Sequence, residues 1–151
     1  MIESLEVGYT ERSLAVGVSP QQEENMYKNN PYKHTGVTTA SPGELIVMLY
    51  DGALKFTGYA EQAYGDGDAA LAASSIARAV AIINYLQSVL DQNQSPELVG
   101  QLDRLYMKWT HTLTKANLQR DPAKVIEIRA EIAEMREAWV EVNRQVSTGE
   151  A

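Results

Sequence analysis

Apolar residues recur every three to four positions along most of the chain, which is the spacing of one face of an α-helix. The longest such stripe consists of Val125, Ile128, Ile132, Met135, Trp139, Val142 and Val146. Two earlier stripes have the same rhythm: Ala72, Ile76, Ala79, Ile83, Leu86 and Leu90, then Leu98, Leu102, Leu105, Trp109, Thr112 and Ala116. No stretch alternates apolar and polar residues between hairpin turns. The pattern therefore predicts an all-α protein.

Capping sequences mark where the helices begin. The first, Ser41-Pro42-Gly43-Glu44, is a capping box with proline at the first helical position, where no backbone N–H is needed. A capping side chain also precedes a proline at Ser95-Pro96 and Asp121-Pro122, and Asp68 follows a glycine-rich turn. We therefore predict helices at about 42–64, 69–91, 96–119 and 122–146. Short connections make neighbouring helices antiparallel, which gives an antiparallel up-down-up-down four-helix bundle.

The first predicted helix is apolar on more than one side. Its three stripes are Leu45, Leu49 and Phe56, then Ile46, Tyr50 and Ala53, then Val47 and Leu54. Neighbouring helices of a bundle cover only part of such a surface. The remainder is a candidate surface for the apolar segment of a partner.

Residues 1–40 differ in composition from the rest of the chain. They are rich in Ser, Thr, Gln, Asn and Gly and have only a weak apolar rhythm, which predicts a flexible polar leader at the N-terminus. Residues 1–25 are a candidate upstream extension, with Met26 as a candidate functional start. The bundle is then expected at 41–146, followed by a short tail at 147–151.

Composition narrows the class of protein. The net charge of −7 argues against binding to nucleic acid, which needs clustered Lys and Arg. No run reaches the roughly 18–20 apolar residues that span a bilayer, so we expect no membrane insertion. The N-terminus shows no secretory signal and the chain has no cysteine, so the expected location is the cytoplasm.

Catalytic chemistry finds little support in the sequence. The two histidines, His34 and His111, lack the preceding glutamate of the Glu-x-x-His motif that holds di-iron centres in bundles. Gly65-Asp66-Gly67 is too short for a phosphate-binding loop. We therefore expect no catalytic residue, no metal and no cofactor, and a role in binding is left by elimination.

Several motifs, in order, resemble the flagellar secretion chaperone FliS family. Near the start, Tyr32 and Val37 precede the runs Thr39–Leu45 and Met48–Phe56. Later matches are Leu113-Thr114-Lys115-Ala116-Asn117, with Asp121 four residues on, and Met135-Arg136-Glu137-Ala138-Trp139. The resemblance covers about residues 27–145, and the preceding stretch is longer than the usual leader of the family.

The resemblance implies a function. Members of the family are not enzymes; they bind the disordered C-terminal segment of flagellin in the cytoplasm, prevent its polymerisation and help deliver it to the flagellar type III export gate. Ordering such a segment requires a contact of about 1,000–3,000 Å². The candidates for the flagellin-binding surface, each of which could instead belong to the ordinary core, are Ile46, Val47, Tyr50, Leu54, Leu86, Leu90, Tyr106 and Leu113.

The resemblance also implies two roles for the leader. It would lie over part of the groove when the chaperone is empty, and it would contact the export gate when the chaperone is loaded, with Tyr32 and Val37 as the candidate residues. The alternative for these two residues is a staple packed on the first helix. For the whole chain, the alternative is a structural or adaptor bundle that binds no unfolded client.

Overall fold

The computed structural model describes residues 40–149, which form four helices and their connections. The helices are α1 (Pro42–Gly65), α2 (Ala69–Ser88), α3 (Pro96–Gln119) and α4 (Pro122–Thr148). Within residues 40–149 there is no strand. The predicted all-α fold is therefore confirmed. Residues 1–39 of the predicted leader and residues 150–151 of the predicted tail lie outside the described residues.

Side-chain caps start every helix. The Ser41 hydroxyl accepts from the backbone N–H of Glu44 at 3.1 Å, and the Glu44 carboxylate accepts from the backbone N–H of Ser41 at 2.8 Å. Asp68, Ser95 and Asp121 each accept from the backbone N–H three residues on. Because capping depends on local sequence alone, all four helix starts agree with the prediction.

Helix ends differ slightly from the prediction. α2 ends at Ser88 and not near 91, because the Asp91 carboxylate accepts from the backbone N–H of Asn93 and holds a turn that competes with the helix. α4 continues to Thr148, so it includes the first two residues of the predicted tail.

Each helix packs against its neighbours around one core. α1 lies against α2 and α4, and α3 completes the ring between them. The largest fully buried side chains are Trp109, Tyr50, Tyr106, Ile76, Ile83, Leu113, Ile128, Ile132 and Val125. By length and composition alone, α2 is long and apolar enough to cross a bilayer. In this fold one face of α2, which includes Ile76, Ile83 and Leu86, is buried against α1 and α3, whereas Leu71 and Tyr85 are exposed.

Polar contacts tie adjacent helices together at their surfaces. Asn117 of α3 donates its side-chain amide to the carbonyl of Ala73 on α2 at 3.2 Å. This bond joins α3 to α2. Between α4 and α1, Arg129 donates to the carbonyl of Leu54 at 3.4 Å. Its guanidinium lies against Gly58, where a Cβ would come within 3.3 Å of it.

Candidate functional site

An apolar groove of about 510 Å³ lies at the end of the bundle where α1 and α3 begin. The last turn of α2, the connection 89–95 and the second half of α4 complete its walls. Every helix supplies apolar side chains to it, the main ones being Ile46, Leu86, Leu90, Leu98, Tyr106, Met135, Trp139 and Val142. Asp91 is the one charged residue that lines the groove within the described part of the chain.

The rim and the floor of the groove differ in exposure. Val89, Leu98 and Val142 are exposed at the rim. Leu86 and Tyr106 are buried on the floor and belong to the hydrophobic core. The core therefore reaches the surface here, and an apolar side chain placed in the groove would extend the packed core.

An aromatic cluster lies under the groove. The rings of Tyr50 and Tyr106 meet edge-on with centroids 6.4 Å apart, and their hydroxyls are 2.9 Å apart in a buried hydrogen bond. Trp109 packs against both rings, and the Trp139 ring lies 6.5 Å from Tyr50. Edge-to-face and tilted ring pairs of this kind stabilise by about 0.5–1.5 kcal/mol beyond area burial, so the cluster contributes to the stability of the core beneath the groove.

Burial sets the protonation of the two tyrosines. It raises the pKa of Tyr106 far above the usual range, and the nearby Tyr50 raises it further. Burial also raises the pKa of Tyr50, although the neighbouring Tyr106 hydroxyl and Trp139 indole partly offset it. The floor is therefore polar but uncharged at physiological pH.

Trp139 has a polar atom without a partner. Its indole N–H is buried and makes no hydrogen bond within the described part of the chain. The indole is close enough to the Tyr50 hydroxyl to lower its pKa, but the contact falls outside hydrogen-bond geometry. Buried donors are rarely left unpaired, so this atom marks an unusual point on the groove floor.

The structure places the residues suggested by the sequence in three settings. Ile46, Leu86, Leu90 and Tyr106 line the groove. Tyr50 and Leu113 are fully buried in the core, with Tyr50 directly behind Tyr106. Val47 and Leu54 are half-buried on α1 away from the groove. Tyr32 and Val37 lie outside the described residues.

Other groove residues were expected in the core. The sequence assigned Leu98, Met135, Trp139 and Val142 to the buried stripes of the third and fourth helices. In the fold all four line the groove; Met135 and Trp139 also pack against the core, whereas Leu98 and Val142 are exposed. Their spacing fits a core stripe because the same face of α4 continues past the buried Ile132. An earlier predicted end for α2 would have separated the groove residues from the core residues, since the connection after α2 borders the groove.

A second, shallower depression of about 570 Å³ lies on the outside of the α2–α3 pair. It mixes apolar residues, such as Met107 and the 83% exposed Leu118, with polar ones such as His111 and Lys115. Over the part of the chain described, no group of three or more His, Asp or Glu residues is placed to hold a metal ion.

Comparison with known proteins is consistent along most of the chain. The family model for the flagellar protein FliS matches residues 23–146. A flagellar secretion chaperone FliS of Bacillus subtilis is 33% identical over 108 residues, covering 72% of this chain and 80% of the relative.

Two further relatives have similar identity. The flagellar secretion chaperone FliS of Salmonella typhimurium is 31% identical over 118 residues, covering 78% of this chain and 87% of that protein. The flagellar secretion chaperone FliSB of Pseudomonas aeruginosa is 32% identical over 103 residues, covering 68% of this chain and 82% of that protein. The matched residues include all of the groove.

Proposed function

The chain belongs to the FliS family of flagellar proteins, and we propose that it is a cytoplasmic export chaperone whose client is flagellin. It would bind the disordered C-terminal segment of flagellin, prevent premature polymerisation and deliver flagellin to the flagellar type III export gate. The relatives are named secretion chaperones, which supports a chaperone role and no catalytic one. The single observation that carries the choice of client contact is the apolar groove.

The shape and chemistry of the groove suit one face of an amphipathic segment. Its lining is apolar apart from Asp91 and two amide or hydroxyl groups, and its floor is continuous with the core. An amphipathic helix laid in such a groove buries its apolar stripe and leaves its polar face in water. That stripe is the part of a coiled-coil-forming segment that associates with other copies, so covering it would block assembly.

One groove is too small to hold the whole client segment. About 510 Å³ accommodates a few side chains, whereas ordering an unfolded segment needs a contact on the order of 1,000–3,000 Å². The remaining contact would come from exposed apolar side chains elsewhere on the bundle. The α2–α3 depression, with Met107 and Leu118, is a suitable continuation, and Val47 and Leu54 on α1 remain candidates.

The leader would act beside the groove. Pro42 both begins α1 and lines the groove, so the chain enters the bundle at the groove rim. We propose that the segment with Tyr32 and Val37 covers part of the groove in the empty chaperone and contacts the export gate in the loaded one. The support for this is the family membership together with the position of Pro42.

A structural or adaptor bundle without an unfolded client is the second candidate function. It is compatible with the same four helices, and it would use the groove for a folded partner or not at all. The two functions differ in one property, because only a chaperone binds a segment that is disordered when free.

A matched pair of substitutions tests the proposal. Val142→Asp places a charge on the groove rim, while Ile126→Asp does the same on α4 away from it, and the two side chains are 46% and 45% exposed. Both variants and the parent are tested for co-purification with intact flagellin and with flagellin lacking its C-terminal segment. A flagellin polymerisation assay with an excess of each protein runs in parallel.

We expect the parent and Ile126→Asp to retain intact flagellin and to slow polymerisation, and Val142→Asp to do both less well. None of the three should retain the truncated flagellin. Equal retention of both flagellins, or filaments that grow at an unchanged rate with the parent, would contradict the proposed function and favour the adaptor.

A further inference from the structure

The groove floor holds more hydrogen-bond donors than the described protein has acceptors for. The Tyr50 and Tyr106 hydroxyls share one hydrogen bond, which uses one of their two O–H protons. The buried N–H of Trp139 is a third donor, and it has no partner among residues 40–149. Even if Trp139 turned to donate to Tyr50, one hydroxyl proton would lack an acceptor in that part of the chain.

This excess of donors does not depend on pH in the physiological range. Burial raises the pKa of both tyrosines, so both hydroxyls keep their protons. An indole nitrogen donates and does not accept. A buried donor without an acceptor raises the free energy of the folded state, and an occupant that supplies the acceptor recovers that cost on binding.

We infer that the groove is selective for a client segment that brings a hydrogen-bond acceptor to its floor, between the apolar side chains that fill the rest. The acceptor is the oxygen of a side-chain amide or hydroxyl of the client segment. Tyr106 and Trp139, which both line the groove, are then its specificity-determining residues. This inference rests on the proposed function, since it takes the flagellin segment as the occupant.

An all-aliphatic segment would be a poorer occupant. It covers the rim at Leu98 and Val142 equally well, but it seals the floor donors away from water without pairing them. A site built to hydrogen-bond its ligand discriminates strongly against an analogue that lacks the polar group, because the site's own polar atoms are left unpaired. The donors would therefore separate the client from other apolar segments in the cell.

Tyr50 and Tyr106 offer a matched pair of variants. Tyr50→Phe and Tyr106→Phe each remove one oxygen of the same hydrogen bond, so their effects on core packing are similar. Only Tyr106 lines the groove, whereas Tyr50 lies behind it. Tyr50→Phe leaves the Tyr106 hydroxyl with no protein partner among the described residues, and so available to an occupant.

The experiment measures binding of the flagellin C-terminal segment to the full-length parent and to both full-length variants by titration calorimetry. Tyr106→Phe should weaken binding by about 3–10-fold, the size of one neutral hydrogen bond. Tyr50→Phe should leave the affinity unchanged or raise it. Thermal unfolding of each variant checks that the bundle is intact.

A second series varies the client. Each Asn, Gln, Ser and Thr of the segment is replaced in turn by an apolar residue of similar size. One replacement should weaken binding to the parent and have no further effect on Tyr106→Phe, because both changes remove the same hydrogen bond.

The outcomes separate the inference from the proposed function. Equal weakening by both tyrosine variants, unchanged binding by Tyr106→Phe, or a client series without any sensitive polar position would overturn the inference while the parent still binds. If Tyr106→Phe fails to fold, the client series on the parent decides. A parent that does not bind the segment contradicts the proposed function itself, and the inference with it.

Discussion

The backbone of Gly43 on α1 lies directly against the side-chain amide of Asn143 on α4. A Cβ at Gly43 would clash with the Asn143 Oδ1. The close approach joins the first turn of α1 to the last turns of α4, beside the groove. It also gives a packing reason for a glycine in the first turn of α1.

The effect of Gly43→Ala on the free energy of unfolding should therefore change sign with the side chain at position 143. In the parent, the Asn143 side chain must move, and we expect a loss of about 1 kcal/mol in the free energy of unfolding. In an Asn143→Ala background the clash is absent, and the same substitution should stabilise, by less than the roughly 1 kcal/mol of a helix interior. Urea unfolding of the four proteins measures the cycle. A stabilising Gly43→Ala in the parent would show that Asn143 yields without cost.

The Glu131 carboxylate should make stability depend on acid pH. It accepts from the Trp109 indole at 3.0 Å and from the Lys108 ammonium. Partial burial raises its pKa, but these hydrogen bonds outweigh that and hold the pKa below the usual value. The stabilisation is then complete above the unfolded pKa of about 4.3 and is lost as the pH falls through the lower folded pKa.

Glu131→Gln should reduce the loss of stability at acid pH. The variant should be less stable than the parent near neutral pH, and the difference should shrink as the pH falls below about 4. Thermal unfolding across a pH series measures it, with Glu134→Gln, an exposed residue on the same helix, as the control. A difference that stays constant through the acid range would show that the carboxylate contributes by packing and not by charge.

Arg120 ends α3 in a left-handed backbone conformation, with φ of 53°. That region suits glycine and costs residues with a Cβ about 1 kcal/mol. Arg120→Gly should therefore stabilise the bundle by about 0.5–1 kcal/mol, while Arg120→Ala should bring no gain. Chemical denaturation compares the three proteins. A gain with Ala equal to that with Gly would assign the effect to loss of the arginine side chain.

Removal of residues 1–36 should leave the affinity for the flagellin segment equal or higher. A segment that competes for the groove lowers apparent affinity by the fraction of time it is docked. Tyr32→Ala in the full chain should impair flagellin secretion more than it impairs binding. Affinity and secretion are measured side by side. Weaker binding after truncation would make the leader part of the binding surface, and normal secretion with Tyr32→Ala would exclude that tyrosine from delivery.

The helix starts could be predicted because capping is a local property. The Ser41 box and the caps at Asp68, Ser95 and Asp121 all act through neighbours within three residues, and all four are found in the structure. The four-helix order followed from these starts and the apolar period. None of this required knowledge of which helices touch.

The groove could be predicted only in part, because burial depends on which faces meet. On α3, Leu105 and Tyr106 are adjacent, and the apolar period alone favoured Leu105 for the stripe. In the structure Tyr106 is the buried one, since its ring and hydroxyl meet Tyr50 across the core. Trp139 shows the opposite case, because it fits the core stripe of α4 and yet lines the groove. It lies at the end of the bundle beyond the last residue of α2, so that helix does not cover it.

The capping box at Ser41 has a further consequence for how the groove is shared. It fixes the point at which the polypeptide enters α1, next to the groove residue Pro42. The residues that precede Ser41 are thus tethered at the rim, and a tethered segment competes at an effective concentration set by the length of its tether. Dilution lowers the concentration of a free client but not that of the tethered segment. If the leader covers the groove as proposed, occupancy by the client falls with dilution, because the local concentration of the tethered leader stays constant.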